Sequence, residues 1–439
     1  MHDMTHGHRR SATHRRRVQR GAGAVAGSAV ILALLAGTTT TVAAYRDQAH
    51  ARTESLQAAT TPPFQPGLSR NSRMVDTGLG LSTAGDVYVW GRTDLSINGG
   101  AANPGTSRGA QRVPIPAGTV RQVTGGIYNV NALDTLGTVW GWGNSNTRDG
   151  TDAAKPSNNP RQVRIGTAWN GAGALLDGIV LISSTEFAGA GIRSNGTVWH
   201  WGENTGYGGN SGAGASQLAG LPDPTVAGNR PVYLKGAYTN FFVILENGDV
   251  WYWGGTGGNS LPSGLGNTNA TPQKIASLGL WTKSNVAAGQ PYIIAVDGGI
   301  NMGGALLSNG QVLSWGSIPS RVGGRLAANA AAAQAPAVIP VLSGITSMQF
   351  GYTGVAMLDA QNRLWGYGAS DDYGQFPQVP IIVDTNVVQY GAGQGYYLWQ
   401  KADKTFWGRG YNPAGSIGAP NGTQTVNRQI SIDLGVVTR

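Results

Sequence analysis

GIRSNGTVWHWG, residues 191–202, decides the fold. An apolar pair leads into Asn195-Gly196, and an alternating run then ends on Trp201-Gly202. Asn-Gly between two such runs is the strongest short hairpin signal, because both residues accept a positive φ and a type I′ turn requires it at both central positions. The run after the turn reads as a strand with alternating faces. Its Trp fills the space between neighbouring sheets, where one aromatic buries a large area. The Gly after it permits close backbone approach or a bend.

The pattern recurs outward in both directions. It reads GLSTAGDVYVWG (80–91), ALDTLGTVWGWG (132–143), VILENGDVWYWG (243–254), LLSNGQVLSWG (306–316) and MLDAQNRLWGYG (357–368). A seventh copy, LWQKADKTFWGRG (398–410), is degraded, with Lys404 at the turn. The repeat tryptophans are Trp90, Trp142, Trp201, Trp253, Trp315, Trp365 and Trp407. The closing glycines, Gly91, Gly143, Gly202, Gly254, Gly316, Gly368 and Gly410, are spaced 52, 59, 52, 62, 52 and 42 residues apart. Such a period is the signature of a repeat architecture.

A second motif, Pro or Gln followed by a short β-branched run, lies between these copies. It occupies residues 111–115, 162–165, 231–234, 272–275, 336–339, 380–383 and 429–433. Each unit therefore supplies several short strands in about 50 residues, the size of a propeller blade. One small sheet cannot bury both faces, so seven stack around an axis. The reading is an all-β, seven-bladed β-propeller over residues 67–439, joined by a linker (52–66) to a leader (1–51). The last copy of the second motif is expected to close the ring against the first blade.

Composition agrees. The chain of 439 residues holds 69 Gly and 13 Trp with only 12% charged residues, which suits many short buried strands joined by tight turns. Its net charge of +9 is misleading. Residues 1–52 carry eight arginines against Asp3 and Asp47, leaving 23 basic and 20 acidic side chains for the rest. A nucleic-acid binder needs its basic face on the folded domain, so no nucleic-acid partner is expected. The absence of Cys excludes disulfides, thiolate zinc sites and thiol nucleophiles.

Residues 1–20 are basic and His-rich, and residues 21–44 carry no charge, with AVILALLA (29–36) their densest part. Basic then apolar is the layout of a secretory leader, and the apolar run is also long enough to anchor in a bilayer. Val42-Ala43-Ala44 and Ala49-His50-Ala51 are candidate cleavage sites. The arginines precede the apolar run, which places the rest of the chain outside. The expectation is an extracellular or surface-displayed protein of bacterial type, touching membrane only through this segment.

The motifs resemble RCC1-like (regulator of chromosome condensation) repeats. GGIYNVNALDTLGTVWGWGN (125–144) fits that pattern closely, and GGNSLPSGLGNTNATPQKI (257–275) carries the loop and the following Pro-led strand. The resemblance covers residues 67–439 in broad pattern. One departure is that the family often has His in the first segment of its repeat, whereas the only His in the folded region is His200. The resemblance implies a binding platform. One eukaryotic member exchanges nucleotide on a small GTPase and docks on chromatin, but no stretch here corresponds to its exchange wedge. Secreted bacterial relatives resemble propeller inhibitors of enzymes such as β-lactamases.

One aromatic precedes the apolar pair in six repeats: Tyr128, Phe187, Tyr238, Tyr292, Tyr352 and Tyr396. Two readings fit. The six pack between blades, or they ring one mouth of the propeller as binding residues, aromatics being enriched at hot spots. Catalytic readings are weak. Asp371 and Asp372 are adjacent, and neighbours in a strand point oppositely. His200, alone in the folded region, can neither complete a Ser-His-Asp set nor hold a metal with a second His. No P-loop is present. The expected function is binding of a protein or glycan by a monomer, without metal or cofactor. The alternatives are an enzyme inhibitor, a hydrolase with carboxylates in the central channel, or a GTPase regulator.

Overall fold

The computed structural model describes residues 67–68, 77–91, 110–116, 119–126, 128–143, 159–166, 173–203, 208–210, 214–255, 260–262, 264–317, 322–325, 329–368, 377–412, 415, 417, 422 and 424–430. The leader lies outside them, as do Asp371 and Asp372. The described residues form seven four-stranded antiparallel sheets, each built from four strands consecutive in sequence.

Blade 1 holds β1 (Gly67–Leu68), β2 (Thr77–Leu81), β3 (Val87–Gly91) and β4 (Gln111–Arg112). Blade 2 holds β5 (Val120–Gly125), β6 (Asn129–Asp134), β7 (Val139–Gly143) and β8 (Arg161–Gln162). Blade 3 holds β9 (Ile179–Ser184), β10 (Ala188–Arg193), β11 (Val198–Gly202) and β12 (Ser216–Gln217). Blade 4 holds β13 (Pro231–Gly236), β14 (Asn240–Leu245), β15 (Val250–Gly254) and β16 (Asn269–Lys274). Blade 5 holds β17 (Ile293–Gly298), β18 (Met302–Leu307), β19 (Val312–Gly316) and β20 (Ala337–Val338). Blade 6 holds β21 (Ile345–Phe350), β22 (Gly354–Asp359), β23 (Leu364–Gly368) and β24 (Ile381–Asp384). Blade 7 holds β25 (Val387–Ala392), β26 (Tyr396–Lys401), β27 (Phe406–Gly410) and β28 (Gln424–Ile430).

The sheets cohere because every blade is apolar on both faces. On β14, Phe241, Val243 and Leu245 pack toward blade 3, while Phe242 and Ile244 pack toward blade 5, the period of two that a pleated strand imposes. Seven apolar clusters result, one at each junction between successive blades, the seventh joining blade 7 to blade 1. Trp142, Trp201, Trp253 and Trp315 are fully buried in four of them. Gly189 faces Trp201 across the β10–β11 pair, and a Cβ there would lie 2.3 Å from the indole. The glycine makes room for the ring.

Several expectations are corrected. Trp365 and Trp407 pack at the edge of the inter-blade clusters and not in the deep position that Trp142, Trp201, Trp253 and Trp315 fill. Tyr367 and Arg409 stand before the closing glycines of β23 and β27, and Trp365 and Trp407 lie two residues earlier, half-buried. There their indoles clamp the hairpins, Trp365 Nε1 donating to Asp359 Oδ2 at 2.7 Å and Trp407 Nε1 to Thr405 Oγ1 at 2.8 Å. The Asn-Gly turns are not type I′. Gly196, Gly248 and Gly310 have φ of 88°, 90° and 82°, but Asn195, Asn247 and Asn309 lie outside the left-handed region. Each Asn serves instead as an acceptor, as when Asn195 Oδ1 takes the Thr197 N–H at 3.0 Å. The result is a type I turn followed by a left-handed residue.

The second motif supplies fourth strands in most blades, but residues 231–234 belong to β13, a first strand. The fourth strand of blade 3 is Ser216–Gln217, and the buried Leu218 beside it donates its N–H to Val198 O at 2.8 Å. Val113, Val163, Ile275 and Ile339 make the same bond to their own third strands. Residues 431–433 lie outside the described residues, and residues 429–430 add no strand to blade 1. They pair with Trp407 and Phe406 inside blade 7. Side chains close the ring: Tyr396 Oη donates to Thr77 O at 2.7 Å, and Trp90 packs with Leu398, Phe406 and Ile430.

Candidate functional site

The first strands of successive blades are joined by polar bonds. Gln122 of β5 uses both amide atoms on Ile182 of β9, at 3.0 Å each. Asp297 of β17 accepts the Phe350 N–H of β21 at 2.9 Å, and Gln349 donates to Ala392 O of β25 at 3.1 Å. In blades 2 to 7 the first strand is separated from the second by three residues. In blades 3 to 7 these turns are Thr185-Glu186-Phe187, Ala237-Tyr238-Thr239, Gly299-Ile300-Asn301, Gly351-Tyr352-Thr353 and Gly393-Gln394-Gly395, and in blade 2 Gly126 and Tyr128 stand at the corresponding first and last positions.

The turns are hydrogen-bonded to one another along the ring. Tyr128 N–H donates to Glu186 O, Glu186 N–H to Tyr238 O, Ile300 N–H to Tyr352 O and Tyr352 N–H to Gly393 O, at 2.8 to 3.2 Å. The contact is backbone on backbone. A Cβ on Gly126 would meet Thr185 O at 1.8 Å, and one on Gly351 would meet Gly393 O at 2.2 Å. Backbone hydrogen bonds thus tie the turns of blades 2, 3 and 4 to one another, and those of blades 5, 6 and 7 to one another, along one end of the propeller.

Four of the six expected aromatics sit on this ring. Tyr128 and Phe187 stack with centroids 4.6 Å apart. Tyr238 of blade 4 and Tyr352 of blade 6 meet edge to face at 4.9 Å. All four remain partly exposed. The other two lie elsewhere. Tyr292 precedes β17 at the opposite end, where its ring lies 6.0 Å from Lys283 Nζ and its carbonyl accepts from Ser308 in the hairpin turn. Tyr396 is the first residue of β26 and is buried at the junction of blades 7 and 1. Even the four on the ring are not equivalent, since Tyr128 and Phe187 end their turns while Tyr238 and Tyr352 are central.

Sequence reasoning missed Glu186, the middle residue of its turn. It exposes 7% of its surface. Tyr238 is hydrogen-bonded to both Glu186 and Tyr352, so the three form one network. Glu186 Oε2 is buried and has no hydrogen-bond partner. Burial pushes the carboxyl up to about 7, the bond from Tyr238 opposing this only in part. Burial likewise raises the Tyr238 phenol, reinforced by the Glu186 charge. The signal in the sequence was a single carboxylate in ISSTEFAGAGI (182–192), an otherwise uncharged stretch. A strongly shifted, buried group beside partly exposed aromatics is a marker of function.

His200 is structural. It is buried on β11, its Nδ1 3.0 Å from Gly208 O and its Nε2 3.3 Å from Ser216 Oγ, and burial lowers its pKa. Among the described residues, no three His, Cys, Asp or Glu gather as a metal site, and no helix is long and apolar enough to cross a membrane.

The fold is that of RCC1-like propellers. Yeast RCC1 (Prp20), solved bound to Kap60, superposes with a TM-score of 0.61 at 16% identity, covering 85% of this chain and 88% of that one. Prp20p from Saccharomyces cerevisiae, described with its binding to Gsp1p and histones, gives 0.62 at 15% identity over 86% and 89%. Human WBSCR16 gives 0.57 at 16% over 76% and 86%. No family model matches the chain.

Proposed function

We propose that this chain is an exported, surface-displayed or extracellular propeller that binds a protein through the end carrying the three-residue turns. The observation that carries this is the convergence of Tyr128, Phe187, Tyr238 and Tyr352, all partly exposed, on one mouth whose backbone is locked by inter-blade bonds. Rigid aromatics on a fixed frame lose little entropy on binding and give anchor residues. The similar yeast propeller is described with protein partners, Kap60, Gsp1p and histones, which supports the fold as a scaffold for protein recognition. Fold alone does not choose the partner; the loops do. Export rests on the basic-then-apolar layout of residues 1–44.

The test is capture of partners from culture supernatant and surface extract by the tagged protein and by a variant with all four aromatics changed to Ala. A dominant partner lost from a variant with wild-type circular dichroism supports the reading, and a partner equally retained overturns it. If the partner is a secreted hydrolase such as a β-lactamase that loses activity on binding, the module is an inhibitor. A carboxy-terminal epitope found only in the cytosol of the source cell removes export.

A further inference from the structure

The mouth contains a charge without a counter-charge. None of the ion pairs among the described residues includes Glu186. One of its oxygens is engaged by Tyr238, and the other, Oε2, is buried without a partner. Buried polar atoms are almost always satisfied, so an orphan carboxylate oxygen asks what would complete it. The stacked Tyr128–Phe187 pair and the edge-to-face Tyr238–Tyr352 pair lie in the same ring of turns, and the faces of such rings attract cations. A second carboxylate is close by in the chain trace, since Glu203 donates its N–H to Phe187 O at 3.1 Å. Lys235, a cation on the first strand of blade 4, is committed to Asp297 at 3.4 Å.

We propose that this mouth receives a single alkylammonium group, the tip of a lysine side chain on the partner protein, with Glu186 Oε2 as its counter-ion and the four aromatics as its walls. The proposal rests on the reading of this end as the binding face and names what that face recognises. Only one carboxylate oxygen lacks a partner, so the site suits a compact ammonium that makes one short bond. A guanidinium fork is best matched by two oxygens side by side. Tyr238, bonded to Glu186 and partly exposed, is the side chain that moves to admit the ammonium to the buried oxygen.

The ammonium binds the ionised carboxylate and displaces its proton. The Tyr238 phenol faces Glu186 and the Tyr352 phenol bonds in turn to Tyr238; Glu203 and the Lys235–Asp297 pair are charged groups on adjoining elements. A lysine amine stays protonated throughout the pH range 6 to 8. Because the free carboxyl titrates at about 7, affinity should rise roughly tenfold between those limits.

The experiment is calorimetric titration of the full chain with Nα-acetyl-lysinamide at pH 6, 7 and 8. Nα-acetyl-norleucinamide and Nα-acetyl-argininamide serve as uncharged and forked comparisons. Expected are saturable binding of the lysine probe, weaker binding of the arginine probe, none of norleucinamide, and the tenfold rise with pH. E186Q, with its melting temperature checked, should bind the lysine probe at least tenfold more weakly and without the pH trend. Equal binding by E186Q, equal binding of norleucinamide, a flat pH profile, or no binding of the lysine probe at tens of millimolar overturns the proposal. The two readings separate in the capture assay. A partner lost by the four-alanine variant but kept by E186Q leaves the binding face standing and removes the ammonium site; a partner kept by both removes both.

Discussion

Replacing Glu186 by Gln should reverse its effect on stability between acid and alkaline pH. The carboxyl has an ordinary value of 4.5 and is held at about 7 in the folded chain by burial. Below pH 4.5 it is neutral in both states and costs nothing. Between 4.5 and 7 the unfolded chain releases the proton while the folded chain keeps it, so folding stability falls as pH rises. Above 7 the loss is complete, at about 3 kcal/mol. Gln keeps an acceptor for Tyr238 but can place an N–H where Oε2 had no partner, a cost of about 1–3 kcal/mol that does not vary with pH. E186Q is therefore expected to be less stable than wild type at pH 4 and more stable at pH 8.5, the difference between the two proteins shifting by about 3 kcal/mol. Urea unfolding followed by tryptophan fluorescence at several pH values measures that shift, and other carboxylates cancel because both proteins carry them. Parallel curves for the two proteins across the range would refute the buried, unpaired carboxyl.

The same geometry carries further expected outcomes. Lys404 sits at φ 70°, where five other hairpins have Gly; a side chain there costs about 1–2 kcal/mol and added chain freedom returns part of it, so K404G should stabilise by about 0.5–1 kcal/mol in thermal melts. G189A drives a Cβ into Trp201 and should cost about 1–3 kcal/mol, whereas G266A, with nothing within 4 Å, should be near neutral. Asp359 is buried and accepts from Gln361 N–H, Arg363 N–H, Arg363 Nε and Trp365 Nε1 at 2.6 to 2.9 Å; D359N should lose about 2–3 kcal/mol in urea unfolding. Y396F removes the bond to Thr77 O, and hydrogen exchange should speed up in β2 and β26 while blades 3 to 5 keep their protection.

The fold was legible because a propeller writes the same physical demand seven times. Each third strand must place a bulky residue between sheets and then let the chain turn away, and the Trp-Gly period records this. Phase was harder to read than period. In blade 6 the sequence LWGYG offers two bulky residues two apart, and both lie on the same face of the strand. Nothing in the letters says that Tyr367 goes deep and Trp365 goes to the rim; distance from the closing glycine does, because that glycine marks the end of the strand. The same ambiguity moved residues 231–234 to the wrong strand. Pro231-Val232-Tyr233-Leu234 and Pro272-Gln273-Lys274-Ile275 look alike locally, but the first faces neighbours on both sides and the second lies on the rim.

The site was less legible for the opposite reason: it lies where the repeats differ. The three-residue turns are fixed at their first position by the close approach of neighbouring backbones, which demands a small residue there in most blades. Their middle positions are free of that demand, and they hold Glu186, Tyr238, Ile300, Tyr352 and Gln394, with no shared chemistry. Searching for one aromatic per repeat therefore found Tyr238 and Tyr352 but also drew in Tyr292 and Tyr396, which answer to other constraints, and it passed over Glu186 because a carboxylate breaks the pattern. In a ring of near-identical units, a residue that the period does not explain and burial makes costly is the one whose retention asks for a function. Glu186 meets both conditions, buried at the mouth with an oxygen unmet and its titration moved to neutral pH.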